Sequence, residues 1–231
     1  MHLVRHLLDA VLPPRCLACG SIADGNTDIC PVCDEGFLTA LPLGAFVYVG
    51  PVADVITRAK YSRDLAAARG LARIFAAAVD DVEGDIDAVT FVPAHWLRAL
   101  QRGFDLPAIL ADALASRRRR PFMQLLRASR RDASLAASSS VDERRMLVAG
   151  RFVTTSKAKQ LAGKRALVID DVHTTGATLS AAIATLQAAG IEAVPLVLAV
   201  TPAPDGAVPT MLTTTTTTTT TTADLRADRS T

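Results

Sequence analysis

The sequence predicts an α/β fold, a parallel sheet flanked by helices, with a small cysteine-built knuckle at the N-terminus. Three observations carry that expectation. Apolar, β-favouring runs at 46–49, 86–92, 165–169 and 191–200 alternate with helix-patterned stretches, the order that yields a parallel sheet. All four cysteines lie in one window, Cys16 to Cys33. The 231 residues, 50% apolar with 25 Lys+Arg against 23 Asp+Glu, suffice for one buried core and exclude a wholly disordered chain.

Leu3, Val4, Leu7, Leu8, Val11 and Leu12 recur at helical spacing and stop at Pro13-Pro14, which predicts a short docking helix. Arg5, His6 and Asp9 interrupt this stripe, so it lacks the apolar core of a signal peptide. The most apolar later stretch, 181–200, is broken by Gln187, Glu192 and Pro195, and no membrane span is expected. A cytoplasmic protein is the expectation.

Cys16-Leu17-Ala18-Cys19 and Cys30-Pro31-Val32-Cys33 are two C-x2-C pairs ten residues apart. Each pair can present two thiolates to one ion from a tight turn, and four complete a tetrahedral Zn2+ shell. Gly20 suits the left-handed position of such a turn. Disulfides are disfavoured in the cytosol, and a redox C-x2-C would not need two copies. An iron–sulfur cluster uses the same ligands. A four-thiolate zinc site is closed, so Cys16, Cys19, Cys30 and Cys33 are expected to hold structure and not to catalyse.

Phe46 to Val49 reads as a strand, and Val52 to Val79 as one Ala-rich helix or two. Ile86 to Val92 has a buried-strand pattern stopped by Pro93, Phe104 to Ala115 reads as a helix, and Phe122 to Leu126 as a short strand. Ala133 to Ser140 is small and polar, the composition of a loop. Asp142 to Val153 reads as a helix followed by a strand edge. Charge is uneven: residues 98–151 hold 12 Arg against 5 Asp/Glu, densest at Arg117 to Arg120. That run is either a solvated helix end or an anion-facing surface.

The most informative unit follows. Arg165 to Ile169 is a short β-favouring run ended by Asp170-Asp171, then His173 to Thr178 is a loop of small residues. Leu179, Ile183 and Leu186 mark one helix face, Gly190 sits at a C′ position, and Ile191 to Val200 is a further strand. Loop N–H groups and a helix N-terminus suit a phosphate. The hydroxyls of Thr174, Thr175 and Thr178 add donors, and Gly176 permits close approach. Asp170 and Asp171 can accept from ribose hydroxyls or help position Mg2+. The blander reading is a capped helix after a buried strand, with solvated aspartates.

Ala166 to Thr178, ALVIDDVHTTGAT, resembles the phosphoribosyl-pyrophosphate (PRPP) motif of type I phosphoribosyltransferases. Pro13-Pro14-Arg15-Cys16 with the two C-x2-C pairs, Lys60-Tyr61, Phe91-Val92-Pro93, Arg102-Gly103-Phe104 and that motif are similar, in order, to the ComF family of competence-associated phosphoribosyltransferase-like proteins. The likeness spans roughly residues 1–203. It implies a knuckle over 1–40, a phosphoribosyltransferase-like domain over 41–203, and a low-complexity tail over 204–231. The tail holds the run Thr213 to Thr222 and is expected to be disordered.

The resemblance also implies roles. Asp170 and Asp171 would face the ribose hydroxyls, and Thr174, Thr175, Gly176, Ala177 and Thr178 the 5′-phosphate. Lys60 and Arg102 would lie on the pyrophosphate side; as isolated residues each reads equally as a surface charge. Mg2+ would accompany PRPP and Zn2+ the cysteines.

This sequence departs from the family pattern at Ala94-His95, at Asp105 beside Arg102, and at Leu147 after Arg144. His95 and Phe104 read more readily as packed or surface residues than as chemistry. Two functions follow. One is a Mg2+-dependent phosphoribosyltransferase of unknown acceptor, or one that binds PRPP or a related nucleotide without turnover. The alternative is a non-catalytic accessory of DNA uptake that contacts single-stranded DNA or a helicase.

Overall fold

The computed structural model describes residues 15–23, 27–79, 85–94, 96–129, 150–204 and 206–207. The expected N-terminal helix, the 133–140 loop, His95, Arg144, Leu147 and the threonine run lie outside them.

Among the described residues five strands form one sheet: β1 (Thr39–Ala40), β2 (Gly44–Val47), β3 (Ala88–Phe91), β6 (Arg165–His173) and β7 (Glu192–Val200). Their spatial order is β1-β2-β7-β6-β3, antiparallel only between β1 and β2. A second, two-stranded sheet pairs β4 (Leu126–Ala128) with β5 (Phe152–Thr154). The helices are α1 (Pro31–Asp34), α2 (Gly50–Tyr61), α3 (Leu65–Ala78), α4 (Trp96–Arg102), α5 (Leu106–Arg117) and α6 (Ala177–Ala188).

Alternation along the strands divides the core between the sheet's two faces. Val89, Phe91, Leu167 and Ile169 point to one face, where α2, α3, α5 and the cysteine knuckle pack. Ala88, Val92, Ala166 and Val168 point to the other, beneath α6 and the β4–β5 pair. β3 is therefore followed by helix on one face, and its neighbour β6 by helix on the other. That divergence opens a crevice at their carboxyl ends, the place where open α/β sheets bind ligands.

The 52–79 stretch is two helices, and the break has a local cause. Asp64 accepts the Ala67 N–H at 2.9 Å and caps α3, while Arg58 Nε lies 3.3 Å from Asp64 Oδ2. The helix expected over 104–115 begins at Leu106 because Pro107 takes a first-turn position; Phe104 packs against the core as expected. The short helix α4 had no clear apolar stripe to announce it. Phe122 makes only an isolated bridge to Val89. The strand expected at 122–126 lies instead at 126–128, because its partner is β5 and not the main sheet.

The knuckle is built by turns around the thiols. The Gly20 N–H donates to the Cys16 carbonyl at 2.9 Å with φ +77°, and the Cys33 N–H donates to the Cys30 carbonyl at 3.0 Å. The knuckle docks on α3 at Gly70, where a Cβ would collide with Leu17. Arg73 Nε donates to Asp28 at 2.9 Å beside that contact.

The basic run serves the fold in part. Arg118 Nη2 donates to the Val79 carbonyl and Arg120 Nη2 to Asp85, each at 2.6 Å. No described helix is long and apolar enough to cross a membrane.

Candidate functional site

β6 does not end at the aspartates. Its ladder with β7 continues through Asp170↔Val197 and Val172↔Ala199 to His173↔Val200, so Asp170 and Asp171 stand on the strand itself, within its last four residues. Alternation sends the two carboxyls to opposite sides. Asp171 meets the α2 side, where Lys60 Nζ lies 2.8 Å from its Oδ2. The Asp171 N–H donates to Asp170 Oδ1 at 2.8 Å, and the Val172 N–H to Asp171 Oδ1 at 2.6 Å.

The turn after β6 is only Thr174-Thr175-Gly176, because α6 starts at Ala177. Gly176 is the N-cap, in the left-handed region at φ +73°. A Cβ there would sit 2.7 Å from His173 Nε2, so both the backbone and the packing of the histidine require glycine. The N-terminus of α6 and its preceding amides face the crevice, a geometry suited to an anion.

These residues line one cleft of about 160 Å³ with Lys60, Arg102, Asp170, Asp171 and all of Thr174, Thr175, Gly176, Ala177 and Thr178 in its wall. Val92, Pro93 and Ala94, following β3, form the opposite lip. Every residue expected at the ligand site from the sequence is thus brought together.

Arg151 also lines this cleft, and sequence reasoning missed it. Its Nη1 donates to Thr178 Oγ1 at 2.9 Å, and its guanidinium lies 5.8 Å from the Phe152 ring centre. Nothing local marks it; it stands among many arginines just before a three-residue strand, and only the β5–α6 packing carries it to the cleft.

The electrostatics are those of a crowded acid group facing cations. Desolvation pushes the Asp170 carboxyl up to about 8, and the neighbouring Asp171 charge adds to it. Asp105, expected to place a negative charge beside Arg102, turns to the fold: its Oδ2 accepts the Ala94 N–H at 3.0 Å, and burial pushes it up to about 6. Its charge still acts on Arg102 and Asp171. Burial lowers the His173 pKa and keeps the ring neutral near pH 7.

The donor sets fit the two implied metals. The four cysteine sulfurs lie within 4.8 Å of one another, and Cys19 Sγ is 3.7 Å from Cys30 Sγ. Tetrahedral Zn–S bonds near 2.3 Å require sulfurs about 3.8 Å apart. Burial pushes the Cys33 thiol up to about 12, so a cation is what would hold it as thiolate. In the cleft, the adjacent carboxylates of Asp170 and Asp171 are hard oxygen donors of the kind Mg2+ takes.

Two family models match the chain: a phosphoribosyl transferase domain over residues 99–223 and a double zinc ribbon domain over residues 7–42. The second supports structural Zn2+ at the four cysteines. No curated protein matches. Similar solved structures include "the allosteric regulatory enzyme of purine biosynthesis" at 18% identity, covering 59% of this chain and 26% of that one, with a TM-score of 0.38. Glutamine PRPP amidotransferase from B. subtilis is 20% identical, with 59% and 26% covered and a TM-score of 0.38. Adenine phosphoribosyl transferase from Trypanosoma brucei is 13% identical, with 65% and 72% covered and a TM-score of 0.37. The chain spans about a quarter of the first two, 26% in each case. The sheet order, the crevice at β3 and β6, and a domain match over more than half of the residues converge: the chain has the type I phosphoribosyltransferase fold and belongs to the phosphoribosyl transferase domain family.

Proposed function

We propose that the cleft binds PRPP, or a closely related ribose phosphate, with Mg2+, and positions it for transfer of the phosphoribosyl group to a nitrogen acceptor. The observation that carries this reading is the gathering of Lys60, Arg102, Asp170, Asp171 and the 174–178 turn around one crevice. In it, Asp170 and Asp171 accept hydrogen bonds from the ribose hydroxyls. The amides and hydroxyls of Thr174 to Thr178, with Arg151 bracing Thr178, hold the 5′-phosphate. Lys60 and Arg102 face the pyrophosphate.

Mg2+, when bound, supplies charge neutralisation for the pyrophosphate. The acceptor nitrogen forms its bond to C1′ while the C1′–O bond to pyrophosphate breaks. Pyrophosphate leaves with the electron pair, and the nitrogen's proton passes to solvent. The chain's contribution is orientation and fixed positive charge at the leaving group.

In this reading the knuckle occupies residues 1–40, the transferase-like unit 41–203 and the tail 204–231. The succession of cysteine knuckle and PRPP motif supports a ComF-type protein, hence an accessory role in DNA uptake.

Pyrophosphate release from PRPP and Mg2+, screened over nitrogen heterocycles, tests turnover. Release that depends on the acceptor and falls at least about a hundredfold in Asp171→Asn is expected of an enzyme. PRPP binding without release for any acceptor contradicts transfer and leaves a binding module.

A further inference from the structure

Beside the cleft, a second depression of about 630 Å³ is lined by Lys60, Tyr61, Arg63, Gln101 and Arg102. Lys60 and Arg102 belong to both walls, so the two spaces adjoin. That volume lies in the range of small-molecule sites.

Tyr61 is the residue in it that the fold does not explain. As the last residue of α2 it is 77% exposed. Its ring meets the Arg102 guanidinium at 6.0 Å from the centroid, and the rest of it is open to solvent. An exposed aromatic held by a cation is a ready stacking surface.

Arg63, two residues on, takes φ +55°. That region is costly for a residue with a long side chain, and it persists only where neighbours over-determine it. Here they do: Asp64 is fixed by its cap to Ala67 and by Arg58. Among the described residues Arg63 has no hydrogen bond or ion pair. The strain thus holds a cation at the rim without giving it a partner.

Among the described residues the lining has three cations and no acid. A bare phosphate would make no use of the Tyr61 ring, and a cationic ligand would be repelled. A neutral base would leave Arg63 idle. We propose that this depression is the acceptor subsite, and that the acceptor is a flat heteroaromatic acid. Its ring stacks on the face of Tyr61 away from Arg102, and its carboxylate pairs with Arg63. The assignment rests on the phosphoribosyl reading above, which it deepens by naming the acceptor class.

The test titrates orotate and nicotinate, against uracil and nicotinamide as uncharged controls, with and without saturating PRPP and Mg2+. Wild type, Tyr61→Ala, Tyr61→Phe and Arg63→Gln are compared, and PRPP affinity is measured separately in each. At least one of the acids is expected to bind, and to bind more tightly than its control. Tyr61→Ala should weaken it about tenfold, the scale of losing one stacking partner. Tyr61→Phe should restore it, Arg63→Gln should erase the preference for the acid, and PRPP affinity should stay unchanged in Tyr61→Ala.

If PRPP binds and neither acid does, or acid and control bind alike, the subsite is overturned while the phosphoribosyl reading stands. If an acid binds through Tyr61 and PRPP does not bind, the subsite survives as an anion-and-ring site and the phosphoribosyl reading falls. A single-stranded oligothymidylate that binds more tightly than the acids, with the same Tyr61 dependence, overturns the acceptor assignment in favour of nucleic acid.

Discussion

Stripping the metal from the cysteine knuckle is expected to lower the unfolding free energy by at least about 3 kcal/mol, because structural zinc binding is itself folding free energy. Cys16, Cys30 and Cys33 are buried in the core beside Ile29 and Leu17, so loss of the ion is felt by the rest of the fold. The Arg73–Asp28 pair is largely exposed on the arginine side and contributes under about 1 kcal/mol. Without the ion, four thiols would crowd one small volume, and Leu17 would lose the support that seats it over Gly70. Urea unfolding of reduced protein with and without a chelator, alongside Cys33→Ser and metal analysis, measures this. One zinc per chain and a lowered midpoint are expected. Iron, or no metal, or an unchanged midpoint, contradicts the assignment.

The second expectation is that Asp170→Asn makes the protein more stable, and increasingly so as pH rises. The Asp170 carboxyl sits at about 8 in the fold, mainly through desolvation, against an ordinary 3.8. The folded state therefore holds this proton more tightly than the unfolded state does. The stability it confers is fully present below the ordinary value and is lost as pH rises through about 8. Asp105, raised to about 6, acts with the same sign over a lower range. Asparagine keeps an oxygen for the Asp171 N–H and carries no charge. Near about pH 4 the variant and wild type should be alike, and near about pH 8 the variant should lead by on the order of 1–3 kcal/mol. Equal differences at both pH values would mean that desolvation of the charged form is not what raises the carboxyl. A site that destabilises its own fold in this way is the usual mark of function.

Much of this was legible in the chain itself. The 165–200 unit is readable because strand, turn and helix each carry their own local signal: the β-branched run, the small-residue turn, the Leu179–Leu186 face and Gly190, whose φ is +76°. The cysteine spacing likewise encodes its own geometry. What local pattern does not contain is tertiary reach. β6 continues past Asp170 only because β7 runs beside it to Val200. Arg151 enters the cleft only because β5 packs near α6. Asp105 acts on Arg102 as its place in the chain suggests, but its bond to the Ala94 N–H is set by the fold alone. Tyr61 and Arg63 acquire meaning only when α4 brings Arg102 to them.

If the crevice between β3 and β6 is a PRPP site, calorimetric titration of PRPP with Mg2+ will show it. Wild-type protein should bind, and the double variant Asp170→Asn/Asp171→Asn should lose at least about a hundredfold in affinity, as expected when two carboxyls that bond the ribose are replaced by amides, while remaining folded by circular dichroism. No heat at millimolar PRPP with wild type, or equal affinity in the folded double variant, would show that the crevice is not a PRPP site.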